Sequence, residues 1–273
     1  MTTPEHDIWL KVRLPSAAEE SAWELLHENS KVGKYYDILP DDLATARSRE
    51  MHPTLRYARN LAIALPQAAA QLGMDVAAAI TQRRTPSDIE GAPLAMETLA
   101  TLLRLGYGQL PPDGSEPGAR PRRTVPSGGA LYPLELYVYV ASVEGMAAGL
   151  YHFDPLRGEL AVVRLGDASE AIAAALVQPA LAQDCSAMVF VAALFERSTF
   201  KYGDRGYRAV LVEAGHVGQN LALTATALRL GCINLFGYHD RAIDGLLAFD
   251  GLTASVVYMA AIGHLAGHNA DPR

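Results

Sequence analysis

The chain's 273 residues suffice for one large domain or two ordinary ones, and half of them are hydrophobic while only 19% are charged, which excludes intrinsic disorder over most of the length. Its 23 Lys and Arg against 30 Asp and Glu give a net charge of −7, the opposite of the basic surplus that phosphate backbones reward, so no nucleic-acid partner is expected. No apolar run reaches the roughly 18 to 20 residues of a bilayer-spanning helix, and the opening Met1 to Asp7 is neither basic nor apolar enough for a secretory signal; no membrane association and a cytoplasmic location are expected. Cys185 and Cys232 form no C-x-x-C pair and are too few for a disulfide framework, so both read as small core residues.

In chain order, Ile8 to Leu14 alternates apolar and polar residues and predicts a strand. Ser16 and Glu19 have the spacing of a capping box, and with Trp23 and Leu26 they predict a helix to about His27. Residues 53–82, Ala- and Leu-rich and broken by Pro66, predict two helical pieces; a third helix carries Met96, Leu99, Leu102 and Leu103 and ends at Gly106. Between Gly106 and Gly129, 11 of 24 positions are Gly or Pro, which makes a loop. Leu134 to Val140 predicts a strand, a hairpin turns across Asp154 to Gly158, and an Ala-rich helix lies near 168–182. A buried strand at Ala187 to Leu194, a polar turn, a long helix from about Arg205 to Leu230 closed by Gly231, and a last strand at Ser255 to Ile262 complete the chain. Helices and strands are interspersed without repeats, so the fold class is α+β, with residues 1–80 as an N-terminal extension and 81–273 as the main domain.

Rossmann, P-loop, zinc-protease and nucleophile-elbow signatures are all missing. Glu213 and His216 have the E-x-x-H spacing of a carboxylate-bridged metal site, but no second copy accompanies them, and a plain helix-face pair is the favoured reading. Ser127, Gly128 and Gly129 precede a strand; two glycines there suit close backbone approach to a flat or anionic ligand, or simply a tight turn. Arg83, Arg84 and Thr85 offer fixed charge and a hydroxyl suited to phosphate, or a solvated basic turn. Lys201 to Arg208 is the densest ionisable and aromatic cluster, fit for proton abstraction or a surface turn, and Gly237 in Asn234 to Tyr238 allows a backbone N–H to approach a cofactor edge or belongs to a plain loop.

Taken in order, these strings resemble the SagB-type (McbC-like) dehydrogenase branch of the nitroreductase-like flavin mononucleotide (FMN) superfamily. The resemblance rests on Leu26 to Lys31, Arg83-Arg84-Thr85, Pro126-Ser-Gly-Gly-Ala-Leu-Tyr-Pro133 and Gly149-Leu-Tyr-His-Phe-Asp-Pro155. It continues through Lys201-Tyr-Gly-Asp-Arg-Gly-Tyr-Arg208, Glu213-Ala-Gly-His216 with Gln219-Asn-Leu221, Gly237 and Ala261-Ile-Gly263, covering about residues 20–264. It implies a mixed central sheet wrapped by helices and a homodimer holding FMN at the subunit interface. By motif, Arg83 and Arg84 hold the phosphate, Thr85 adds a hydrogen bond, Ser127, Gly128 and Gly129 line the ring, and Phe236 and Gly237 approach it near N5. A second basic residue common after the arginine turn is replaced by Ser87, and His264 or Arg273 is the expected substitute.

The implied activity is oxidation of thiazoline or oxazoline rings to thiazoles or oxazoles, on an azoline-bearing peptide or a carrier-protein-bound substrate. Hydride passes to the flavin, a proton passes to the Lys201–Tyr202 pair, and oxygen is the final acceptor. A cyclodehydratase or synthetase complex is the implied partner, with the extension as a docking element. The alternatives are an NAD(P)H-dependent nitro- or quinone-reductase of the same fold and a non-catalytic scaffold.

Overall fold

The computed structural model describes residues 22–33, 39–66, 72–111 and 121–267; the strand expected at 8–14, the Ser16–Glu19 capping pair and Arg273 lie outside them. Eight strands form one sheet: β1 (Ala62–Ala64), β2 (Ile89–Glu90), β3 (Leu134–Val140), β4 (Gly149–Asp154), β5 (Glu159–Leu165), β6 (Ala187–Leu194), β7 (Leu230–Leu235) and β8 (Ala254–Leu265). Their order is β1-β5-β4-β3-β6-β8-β2, with β7 also paired to β8. Around the sheet stand α1 (Ala22–Asn29), α2 (Asp41–Glu50), α3 (Val76–Gln82), α4 (Met96–Tyr107), α5 (Ser169–Ala175), α6 (Leu181–Asp184), α7 (Glu196–Tyr202), α8 (Asp204–Ala227) and α9 (Asp240–Leu246). The α+β class is as expected. Every strand pair among the described residues is antiparallel, and the parallel pairing is confined to an isolated bridge between Leu94 and Val143. None of the described helices is long and apolar enough to cross a membrane.

Successive residues of β3 and β6 face opposite layers. Leu136, Val138, Val189 and Val191 pack with Leu99 and Leu103 of α4 and Val217 and Leu221 of α8. Tyr137, Tyr139, Met188 and Phe190 pack on the other side with Ile172, Leu181 and Ile243 of α5, α6 and α9. Because helices cover both faces, β6 is apolar along its length instead of alternating. Cys185 and Cys232 are buried as expected, and burial pushes both thiols up to about 12.

Five element assignments differ from the sequence reading. Residues 53–66 are not helical: Ala62 to Ala64 pair with Glu159 to Ala161, and the Asn60 side chain donates to the Val162 carbonyl at 2.6 Å, so edge pairing overrides the local Ala and Leu preference. The helix expected near 168–182 breaks into α5 and α6 around Pro179. The expected polar turn at 196–202 is α7. The long helix stops at Ala227; Arg229 takes φ 60° and Gly231 lies within β7, where a Cβ would meet Ile89 Cγ2 at 2.6 Å. Likewise α4 runs through Gly106, whose bare Cα accommodates Leu221, and is capped at Gly108.

Glu135 of β3 fastens the preceding segment to the sheet. Its fully buried carboxylate accepts from Thr54 Oγ1 and the Leu55 amide at 2.8 Å each and from Arg197 Nη1 at 2.6 Å, and pairs with His152 Nε2 at 2.8 Å. Burial alone would raise this carboxyl, but the His152 hydrogen bond and the Arg197 charge win and hold it at about 2.

Candidate active site

Helices α7 and α8 meet at a sharp corner. Gly203, with φ 53° and ψ −143°, ends α7 one residue after Tyr202, and Gly206 lets α8 start against the backbone of residues 198–199, where a Cβ would sit 2.9 Å away. Lys201 and Tyr202 are half-buried at this corner, with the Lys201 ammonium 5.6 Å from the Tyr202 ring centre.

The Pro126–Gly129 loop lies on these two side chains. A Cβ on Gly129 would fall 2.7 Å from the Tyr202 hydroxyl and 3.7 Å from Lys201 Nζ, and one on Gly128 would fall 3.6 Å from Tyr202 Cε2. The two glycines therefore admit the chain's own Tyr202 against the backbone. Gly129, Ala130 and Tyr132 all have positive φ (62°, 51° and 47°), a strained run that needs outside support. Ser127 Oγ accepts from the Tyr132 amide at 2.9 Å.

Behind the loop is a buried layer that sequence reasoning did not assemble. The Tyr107 hydroxyl donates to Glu213 Oε1 at 2.7 Å and accepts from the Leu134 amide at 3.3 Å. The Arg123 guanidinium lies 4.3 Å from the Tyr107 ring centre and 5.4 Å from that of Tyr132. Burial pushes the Glu213 carboxyl up to about 7, against the lowering influence of Ser127, Tyr107 and Arg123. Of the E-x-x-H pair, Glu213 is engaged as described and His216 is exposed, and among the described residues no three metal-ligating groups cluster. A signal for this layer existed in Arg122-Arg123 at the end of the Gly/Pro-rich loop, without a cue for its partners.

The basic turn sits at the far end of α8. Arg83 caps α3 and donates to Thr85 Oγ1 at 3.2 Å, while Arg84 folds back onto the Thr81 and Arg83 carbonyls at 2.9 Å. Pro86 of the same turn packs on Gly231 of β7. His264 pairs across β8 with Leu230 and Glu90, and its Nε2 lies 3.3 Å from the Pro93 carbonyl. Arg83, Thr85 and His264 thus share one end of the sheet. At the other end of β7, Phe236 is 77% exposed and leans on Tyr258, the rings tilted by 47° with centres 4.7 Å apart, and Gly237 abuts Val177, whose amide donates to its carbonyl at 2.8 Å.

A cavity of about 610 Å³ joins Phe236 to the α7–α8 corner, lined by Phe195, Thr199 and Tyr207 among others; Phe195 and Tyr207 stack with centres 5.3 Å apart. Arg205 and Arg208 engage Ser30 and His27 around the end of α1. The structure therefore brings together Ser127, Gly128, Gly129, Lys201 and Tyr202, and sets Arg83, Arg84, Thr85 and His264 apart from them.

Residues 80–264 match the model of the nitroreductase family. A protein of Methanocaldococcus jannaschii named as a candidate nitroreductase is 34% identical over 168 residues, which cover 62% of this chain and 81% of that one. The microcin B17-processing protein McbC of Escherichia coli is 31% identical over 193 residues, covering 67% of this chain and 68% of that one. Among solved structures, a chain from Anabaena variabilis superposes with TM-score 0.64 at 22% identity; the match covers 85% of this chain but only 49% of that one. A chain of the E. coli microcin synthetase McbBCD complex, solved with truncated pro-MccB17 bound, superposes with TM-score 0.57 at 23% identity over 88% and 91%. The matched span includes the basic turn, the glycine loop, the α7–α8 corner and His264 alike, and the chain belongs to the nitroreductase family, with McbC among its relatives.

Proposed function

We propose that this chain is an FMN-dependent dehydrogenase that oxidises thiazoline or oxazoline rings to thiazoles or oxazoles in peptide natural-product biosynthesis, acting as a homodimer with oxygen as final acceptor. The observation that carries the reading is the meeting of an amine and a phenol, Lys201 Nζ and Tyr202 Oη, with the Gly129 backbone. Nitro reduction at a flavin needs no such base, whereas aromatising an azoline removes a proton as well as a hydride. The likeness to McbC, a microcin-processing protein, supports a peptide substrate, and the fold shared with a chain of McbBCD supports docking to a cyclodehydratase or synthetase partner.

The residues present fit FMN. Arg83 and Thr85 offer a guanidinium and a hydroxyl for its phosphate, with Arg84 and His264 beside them. The flat Ser127–Gly129 backbone, the exposed Phe236 ring and Gly237 suit the ring system. Tyr202 and Gly231 flank α8, whose 24 residues span about 36 Å at ~1.5 Å per residue, too far for one mononucleotide to bridge within a chain. That separation supports a site completed by a second copy. Along its exposed face α8 carries Leu211, Val212 and Gly215, the last with open space above its Cα.

Bound FMN supplies the two-electron acceptor for the ring. The protein's part is to hold the azoline over the α7–α8 corner, where the Lys201–Tyr202 pair takes the proton released from the ring carbon, one member accepting it and the other orienting it.

The test is a visible spectrum of the purified protein, followed by mass measurement of a synthetic azoline peptide for loss of two hydrogens. Lys201→Ala and Tyr202→Phe should keep the yellow cofactor and lose about 10²- to 10⁴-fold in turnover. Undiminished turnover in both variants, or rapid bleaching by NADPH without azoline turnover, overturns the reading, the latter in favour of a nitro- or quinone-reductase.

A further inference from the structure

The chemistry above gives no role to the cavity of about 610 Å³ beside the α7–α8 corner, although Thr199 and Asp204 of its lining stand two residues before Lys201 and two after Tyr202. Its volume falls within the ~300–1,000 Å³ of pockets that take small ligands. The lining is graded from inside to outside. Phe195 and Tyr207, half-buried with ring centres 5.3 Å apart, form an aromatic shelf, and Val256 and Val257 of β8 add aliphatic surface. Tyr238 is fixed beside them by donating to the Val256 carbonyl at 3.1 Å. The exposed part of the lining carries Asp204 at the start of α8 and Asp240 at the start of α9. No Lys, Arg or His is among the lining residues; Arg205 and Arg208, on either side of Tyr207, engage Ser30 and His27 instead. An aromatic interior thus opens through a negative rim.

Closing an azoline consumes the carbonyl of the residue before it, so the ring carbon between the two heteroatoms carries that residue's Cα directly. With the ring over Lys201 and Tyr202, the preceding side chain is only a few bonds from the pair, and the cavity is the apolar space that adjoins them. A large apolar side chain placed there exchanges water for the Phe195–Tyr207 shelf. A residue one step further out meets the two carboxylates, which attract a cation and repel an anion.

We propose that this cavity is the subsite for the residues preceding the azoline, selecting an aromatic or large aliphatic residue directly before the ring and a Lys or Arg before that one. The inference rests on the azoline reading of the Lys201–Tyr202 corner and deepens it by naming the substrate sequence.

The experiment compares three synthetic peptides, Lys-Phe-thiazoline, Lys-Gly-thiazoline and Glu-Phe-thiazoline, together with their thiazole counterparts, which bind without reacting. Oxidation of the thiazolines by the holoenzyme is followed by mass as kcat/KM, and binding of the thiazoles by calorimetry. Lys-Phe should exceed Lys-Gly about ten- to a hundredfold in both readouts, the scale of burying one large side chain. It should exceed Glu-Phe about two- to tenfold at low salt, and that margin should shrink in about 0.5 M salt. Asp204→Asn with Asp240→Asn should erase the preference for Lys over Glu and keep that for Phe over Gly; Tyr207→Ala should do the converse. If a variant does not fold, the salt dependence of the wild type decides the rim and its Phe-to-Gly ratio decides the interior. Oxidation of all three peptides with equal kcat/KM and equal binding overturns the proposal and leaves the azoline reading standing. Thiazole peptides that bind in the stated order while no thiazoline is oxidised uphold the subsite and overturn the azoline reading.

Discussion

At Gly129 the absence of one methyl group decides how closely the glycine loop approaches Tyr202. The residue has φ 62°, and a Cβ there would lie 2.7 Å from the phenol oxygen. Gly129→Ala should therefore cost about 1–3 kcal/mol from backbone strain and collision, measured as a lowered midpoint of thermal unfolding. Because the colliding atom is the hydroxyl oxygen, adding Tyr202→Phe should recover part of that loss; equal losses with and without the hydroxyl would sink the assignment. From sequence alone the glycine pair pointed to a ligand or a turn. That its first neighbour is Tyr202, 73 residues further along the chain, was not legible because no local pattern reports which distant side chain a loop covers.

Among the elements, the strands β3, β6 and β8 and the β4–β5 hairpin were readable because each is a run of β-branched, aromatic or small apolar residues bounded by turn chemistry. Strands β1 and β2 are short and depend on pairing with β5 and β8, and β7 follows directly on the long helix α8, so local propensity says little about them. The helix α7 was hidden by the polar Glu196-Arg-Ser-Thr stretch. Glu135 on β3 is another element-scale feature with a measurable signature. Its carboxyl is held at about 2 in the fold against an ordinary 4.5, so it contributes stability above pH ~4.5 that is lost as pH falls through ~2, about 3 kcal/mol in all at ~1.4 kcal/mol per unit. Glu135→Gln should flatten this acid limb and, by leaving buried Arg197 without its anion, cost about 3–5 kcal/mol at neutral pH. Thermal melts from pH 2 to 7 check both parts; an acid limb that keeps its slope in the variant would place the effect elsewhere. Glu213 runs the other way: with its carboxyl raised to about 7, its contribution is present below ~4.5 and is lost as pH rises through ~7.

For the whole molecule, the sequence made the α+β class and the superfamily legible through the order of its motifs, but not the layout of the site, whose two groups stand at opposite ends of α8. The exposed stripe on that helix, with Leu211 at 38% and Val212 at 60% accessibility, is the surface on which a second copy is proposed to rest. Leu211→Glu with Val212→Glu should give a monomer by light scattering that has also lost its FMN, while its thermal unfolding remains cooperative. A flavin-loaded monomer would refute the two-copy site.

The clasp around Glu135 also bears on where this fold begins. The family match starts at residue 80, yet Thr54 and Leu55 feed two donors to that buried anion, the Pro53 carbonyl accepts from Arg123 at 2.6 Å, and β1 seals the outer margin of β5. A fragment trimmed to the family boundary would bare a strand edge open to intermolecular pairing and strip the anion of half its solvation. A piece that begins upstream of Pro53 keeps these contacts, and the family match begins inside it.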